Sequence, residues 1–278
     1  MIVFYHRDCF DGIFAVALMQ RAFQLTDSMM YPIQYGEPMP VVSADEEVIF
    51  VDFCPSAQAL YDLTKVCAKV TVIDHHKTAY EAVEKFFLEV EQPSNLTLLF
   101  DDKQSGAGGT WRYLNPDIYA QMPAVIAFAQ DYDLWLFELE NTRAFIAGFG
   151  TLPLTLESAN QVLDTGPDAC IAIGAPLVAQ QDAMVARHVA ESWMVDFHGY
   201  RVPITNAPRY IGSLVGETLG KDHPFCIIYF DNADMREFSL RSNKKTGVDV
   251  QELAIKMGGG GHVNAAGFRQ PRPDPIKF

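Results

Sequence analysis

Positive charge is scarce in this sequence. Its 21 lysines and arginines face 35 acidic residues, a formal net charge of −14. Proteins that grip long nucleic acid do so along basic tracks, because phosphate neutralisation dominates that affinity. Long-duplex DNA is therefore not an expected partner, and an anionic substrate must be small and held by a few placed cations or metal ions. Long apolar runs are also missing. No uninterrupted stretch reaches the ~18 apolar residues of a membrane helix. Met1–His6 lacks the basic segment, apolar region and small-residue cleavage site of a secretory leader. Cysteine is sparse: Cys9, Cys54, Cys67, Cys170 and Cys226 are scattered, odd in number and without C-x-x-C spacing. That pattern speaks against a disulfide framework and a zinc–thiolate site, and points to a reducing, cytoplasmic setting. Cys9 has no base beside it in sequence and reads as a small packed residue. Repeats and low-complexity tracts are absent, and Pro271–Pro275 reads as a loose tail.

What is present is an ordinary globular composition, 49% apolar and 20% charged over 278 residues, enough for two domains. Short β-branched runs at Met1–Tyr5, Tyr31–Tyr35, Val48–Val51, Val70–Ile73 and Leu96–Phe100 alternate with helical patterns over Gly12–Phe23, Ser56–Val66 and Tyr80–Phe87. Buried strands alternating with helices predict an α/β domain with a parallel sheet, here residues 1–150. Residues 151–194 carry no strand pattern and predict a helical linker. Residues 195–278 change character again, to strands near Trp193–Phe197, Val202–Asn206, Phe225–Phe230 and Phe238–Arg241 around one helix. They predict a smaller α/β domain with a mixed sheet.

The chemistry gathers where the strands of the first domain end. The run at 70–73 leads directly into Asp74–His75–His76. His6, Asp8 and Asp11 follow the first strand, Asp52 follows the third, and Asp131 and Asp133 follow the apolar segment Ala124–Gln130. In open α/β sheets ligands bind outside the carboxyl ends of the strands. Carboxylates that converge on one rim repel each other unless cations sit between them. Many carboxylates with fewer imidazoles and no thiolate suit manganese or magnesium, and a carboxylate between two ions, most naturally Asp52, would serve both. Adjacent residues on an extended chain point apart, so one of His75 and His76 is expected as a ligand and the other as support or substrate contact. The segment Ser105–Thr110 would let amides approach a phosphate or simply start a helix. Far along the chain, Arg241 offers a forked phosphate donor, and Gly258–Gly261 running into His262 suggests amides packed against an anion.

The motifs His6–Gly12, Val51–Asp52, Asp74–His76 and Gly258–His262, in this order, resemble the DHH phosphoesterase superfamily. Phe238–Ser242 with the glycine run resembles its associated C-terminal domain. The resemblance implies a two-domain phosphodiesterase with two manganese ions, or magnesium or cobalt in their place. It implies metal ligands at His6, Asp8, Asp11, Asp52, His75 and the carboxylate of the 131–133 loop, for which Asp131 is nearer the segment's end. It places His76 against the scissile phosphate, so that His76, Asp52 and Asp74 form the catalytic set. Substrate would be held by Ser105, Arg241, Ser242, Gly259, Gly260, Gly261 and His262. One spacing departs from the pattern: the two first-motif aspartates are commonly two apart, whereas Asp8 and Asp11 are three apart. The implied substrates are short oligonucleotides or linear or cyclic dinucleotides. A phosphoanhydride such as polyphosphate or pyrophosphate, or a non-catalytic nucleotide-binding regulator, stand as alternatives. A homodimer is an open assembly.

Overall fold

In a computed structural model describing residues 1–243, 245 and 247–272, the side chain of Tyr119 excepted, the chain divides into two compact units, Met1–Val178 and Ala179 onward. The tail read at 271–275 lies outside the described residues from 273 on.

The first unit is laid down as β1 (Ile2–His6), α1 (Phe10–Phe23), β2 (Met30–Ile33), β3 (Glu47–Val51), α2 (Ala57–Thr64), β4 (Lys69–Asp74), α3 (Lys77–Glu89) and β5 (Leu96–Phe100). A run of helices follows: α4 (Gly106–Leu114), α5 (Ala124–Asp133), α6 (Thr142–Phe149), α7 (Leu156–Thr165) and α8 (Asp168–Ala190). The five strands form one sheet in the order β2-β1-β3-β4-β5, every neighbouring pair parallel. Alternate side chains of each strand feed opposite layers, as a pleated strand requires. Val3, Ile49, Val51 and Ile73 join α1 and the later helices in one core. Ile2, Phe4, Val48, Phe50, Val70 and Val72 join α2 and α3 in the other. This is why the strands read as continuous apolar runs. Helix α1 is buried from Asp11 to Met19 without a polar face, because α4, α5 and α7 cover what the sheet leaves bare.

Chain order reverses between β1 and β3, since β1 leads outward to β2 and β3 leads the other way through β4 to β5. A crevice opens at such a switch point, outside the carboxyl ends of the strands.

Segment 124–133, whose class the apolar run left open, is helical. Two residues on a helix turn the side chain by about 200°, which matters for Asp131 and Asp133 below. Helix α8, at 23 residues, is long and apolar enough by length and composition to cross a membrane, and 17% of its apolar window is buried. It escaped the count of uninterrupted apolar residues because polar residues are interspersed. Its first half packs on α6 through close approaches of Gly148 to Cys170 and Gly174 to Ala144. Val185, in its second half, joins Ala207 and Ile211 in a core of the second unit.

The second unit contains β6 (Trp193–Phe197), β7 (Tyr200–Asn206), α9 (Arg209–Gly220), β8 (Phe225–Asp231), β9 (Met235–Ser242), α10 (Val250–Lys256), β10 (Gly260–His262) and β11 (Ala265–Pro271). Its mixed sheet runs β10-β11-β9-β8-β7-β6, with β7 and β8 parallel. Half of the glycine run is therefore strand, with Gly260, Gly261 and His262 paired to Gly267, Ala266 and Ala265.

Candidate metal centre

Three adjacent strands of the first unit deliver the polar groups. His6 closes β1. Asp52 follows β3, its amide donating to Ile73 O of β4 at 3.0 Å. Its backbone then turns at φ 54°, a left-handed conformation that aspartate tolerates better than most residues. Gly106 makes room for this turn, since a Cβ there would collide with the Cα and Cβ of Asp52.

Asp52 is only 1% exposed and is shared. Its Oδ2 lies 3.5 Å from His6 Nδ1, and its Oδ1 lies 3.3 Å from His75 Nε2. His75 Nε2 is also 3.2 Å from Asp133 Oδ2. Donor atoms of Asp11, His75 and Asp133 come together within 4.8 Å, as do those of His6, Cys9 and Asp52. Buried side-chain polar atoms normally find hydrogen-bond partners. Here His6 Nδ1, Asp11 Oδ1, both oxygens of Asp52, His75 Nε2 and Asp133 Oδ2 are all buried without one. These acidic and histidine groups could hold a metal.

The electrostatics agree. Burial, reinforced by Asp52 and Asp133, drives the Asp11 carboxyl well above its ordinary value. Burial raises Asp133 as well. Burial also works to raise Asp52, but His6 and His75 prevail and hold it below the usual carboxylate range. His75 is pulled down by burial yet ends raised, to about 9, because Asp52, Asp133 and Asp11 surround it.

His76 belongs with Asp52, Asp74 and His75 to a third group whose ligand atoms lie within 4.8 Å of one another, and its ring is held in place by a carboxylate. Its Nδ1 sits 2.7 Å from Asp74 Oδ1, which also accepts the amide of His75 at 2.8 Å. Asp74, 3% exposed, thus fixes the ring through Nδ1. The same contact is the main cause that raises the His76 pKa.

No protein-family model matches the chain. An uncharacterized protein of Acanthamoeba polyphaga mimivirus is 27% identical over 96% of the chain, which spans 66% of that relative's length. Among solved structures, the pGpG-specific phosphodiesterase PggH of Vibrio cholerae superposes with a TM-score of 0.62 at 12% identity, over 98% of this chain and 94% of that one. A DHH domain from a family of ribosomal proteins gives 0.53 at 14% identity, over 97% and 82%. RecJ of Thermus thermophilus, solved with manganese, gives 0.51 at 15% identity, over 96% and 48%. The chain has the DHH fold.

Within this DHH fold several expected residues change places. Asp131 does not join the cluster. Its carboxylate accepts the amides of Glu138 at 2.9 Å and Leu139 at 3.2 Å and the hydroxyl of Thr142, anchoring the loop after α5. Asp133, just over a half-turn round the same helix, supplies the carboxylate beside His75 instead. Asp8 is exposed in a left-handed turn, φ 58°, outside the groups of potential ligands among the described residues. Cys9, one residue on, stands beside His6 and Asp52 in its stead. Ser105 is buried rather than presented to substrate. It caps α4 by accepting the Gly108 amide at 3.2 Å, while the Ala107 amide donates to Asp11 Oδ2 at 3.1 Å. This segment supports Asp11 and Asp52 from beneath.

In the second unit, Arg241, Gly259 and Gly260 line a cavity of about 550 Å³ with Arg209, Tyr229 and Phe238. Ser242, Gly261 and His262 are not among the described residues lining it. Ser242 Oγ instead lies 3.1 Å from Asn264 Oδ1. Arg241 Nη1 donates to Leu240 O at 3.2 Å, and Arg209 and Arg269 both pair with Glu237. Sequence reasoning passed over this arginine–carboxylate set and Phe230, the cross-strand partner of Glu237 in the same lining.

Proposed function

We propose that this protein is a metal-dependent phosphodiesterase that hydrolyses short oligonucleotides or dinucleotides. The observation that carries the reading is the set of buried, unpartnered donor atoms from His6, Asp11, Asp52, His75 and Asp133 at the carboxyl rim of a parallel sheet. The likeness of fold to a pGpG-specific phosphodiesterase and to RecJ supports it. His6, Asp11, Asp52, His75 and Asp133 would hold two divalent cations, with Asp52 serving both, and manganese suits the oxygen-rich part of that set. When bound, such a pair polarises a phosphoryl oxygen and makes a hydroxide nucleophile available at neutral pH.

The chain's own residues do the rest. Asp74 holds His76 at Nδ1 and favours its protonated form, so the far ring nitrogen is free to donate to charge developing on the phosphate. Arg241 and the neighbouring glycine amides bind a further phosphate. Phe230, on the same face of the sheet as Arg241, gives the second-unit cavity an aromatic ring on which a base stacks. That ring favours nucleotides over polyphosphate or pyrophosphate, because a phosphoanhydride has nothing to stack.

The test is a substrate panel with manganese, from pyrophosphate through pGpG, other linear dinucleotides and cyclic dinucleotides to long single strands, resolved by product length. Conversion of dinucleotides to mononucleotides, much faster than cleavage of long strands, is the expected result. Hydrolysis of pyrophosphate alone, or long strands cut as fast as dinucleotides, would overturn the reading.

A further inference from the structure

Of the five cysteines, four are accounted for by packing. Cys54 and Cys67 belong to the core between the sheet and α2 and α3. Cys170 sits in the opposite core, and the thiol of Cys226 donates to Gly216 O at 3.3 Å. Cys9 is different. It occupies the residue before α1 without capping it, and its sulfur falls within 4.8 Å of His6 Nδ1 and an Asp52 oxygen. Neither of those two atoms has a hydrogen-bond partner, and Asp52 is almost wholly buried. A cavity of about 310 Å³ opens on this group, lined by His6, Asp8, Cys9, Asp11, Tyr132 and Asp133, so an ion can reach it.

We infer that Cys9 is a thiolate ligand of one of the two cations, making the centre unsymmetrical. One position is then His6, Cys9 and Asp52, a nitrogen–sulfur–oxygen set. The other is Asp11, Asp52, His75 and Asp133, nitrogen and oxygen only. The inference rests on the metal-centre reading above and departs from the expectation of a thiolate-free site. In binding, the Cys9 S–H releases its proton to solvent and a sulfur lone pair donates to the ion; nothing is oxidised. Thiolate ligands favour zinc, cobalt and iron over manganese and magnesium, whereas carboxylates favour the latter. The His6–Cys9–Asp52 position therefore takes a thiophilic ion, and the Asp11–Asp52–His75–Asp133 position takes manganese or magnesium.

Cobalt reconstitution tests this without relying on turnover. The cobalt-loaded protein should show a near-ultraviolet thiolate-to-cobalt charge-transfer band. Cys9→Ser and Cys9→Asp should abolish it with the circular dichroism unchanged, and Cys54→Ser should keep it. Competition between zinc and manganese should shift toward manganese by roughly tenfold or more in Cys9→Asp, since even ligand-supporting residues act on that scale. Cobalt bound in full without a thiolate band, or a band that survives Cys9→Ser, overturns the assignment. Protein that retains no metal sinks both this inference and the phosphodiesterase reading. A Cys9-dependent band on protein that cleaves no phosphodiester keeps the thiolate and removes the function.

Discussion

Stripping the metal should destabilise the first unit more as pH rises. The reason lies in which groups the empty centre leaves protonated. His75 is raised to about 9 in the folded chain, from an ordinary ~6.5. A raised histidine adds stability that is fully present below its unfolded value and is lost as pH climbs through its folded one. Asp11 and Asp133 are also raised, so the folded state holds their protons too, and their effect has the same sign above ~4. Asp52 is held low, remains ionised throughout this window and adds no slope. The His75 change alone, from ~6.5 to about 9, is worth on the order of 3 kcal/mol. For a unit of this size 1 kcal/mol moves Tm by ~2–4 °C. The chelated protein should thus lose roughly 6–12 °C between pH 6.5 and 9. Metal-loaded protein should stay nearly flat, because bound His75 is neutral across the window. Scanning fluorimetry at several pH values, with and without chelator, reads the gap directly, and His75→Gln should flatten the chelated curve. A gap that is constant or narrows toward pH 9 would refute the reasoning.

Other perturbations separate the roles. Asp133→Asn should lose bound metal by elemental analysis, whereas Asp131→Ala should keep its metal once folded but lose stability on the order of 3 kcal/mol, because it strands two amides and a buried hydroxyl. Asp74→Asn should retain metal, lower kcat by roughly 10²–10³, and move the alkaline limb of the kcat–pH profile to lower pH, since the main contact that raises His76 is weakened; an unmoved limb would remove His76 as the proton-bearing group. Arg241→Ala should raise KM for dinucleotides with metal content unchanged, as expected of a group that binds substrate and transition state alike; an unchanged KM would count against the second-unit cavity as the substrate grip.

Much of the first unit could be read from local pattern. Buried parallel strands leave an unmistakable trace, short β-branched runs with apolar residues on both faces, and the rule that their carboxyl ends carry the chemistry then pointed to His6, Asp52 and Asp74–His76. Those residues are fixed by where a strand stops, and sequence shows that. The rest depended on direction, which spacing does not encode once the chain leaves a strand. Spacing prefers Asp131 to Asp133 for its place nearest the end of the apolar segment; 124–133 is helical, and the helical rotation sends Asp131 to the loop after α5 and Asp133 to His75. In the turn after β1 a left-handed residue left Asp8 in solvent and brought Cys9 against His6 and Asp52. Ser105 and Gly106 resembled a phosphate cradle by composition, but the absence of a Cβ at Gly106 is used to pack against Asp52. The glycine run became half strand because β11 lies beside it. Sequence determined which chemical groups arrive at the rim; only tertiary packing decided which of them turn inward, because side-chain orientation in turns and at helix ends is set by what they pack against.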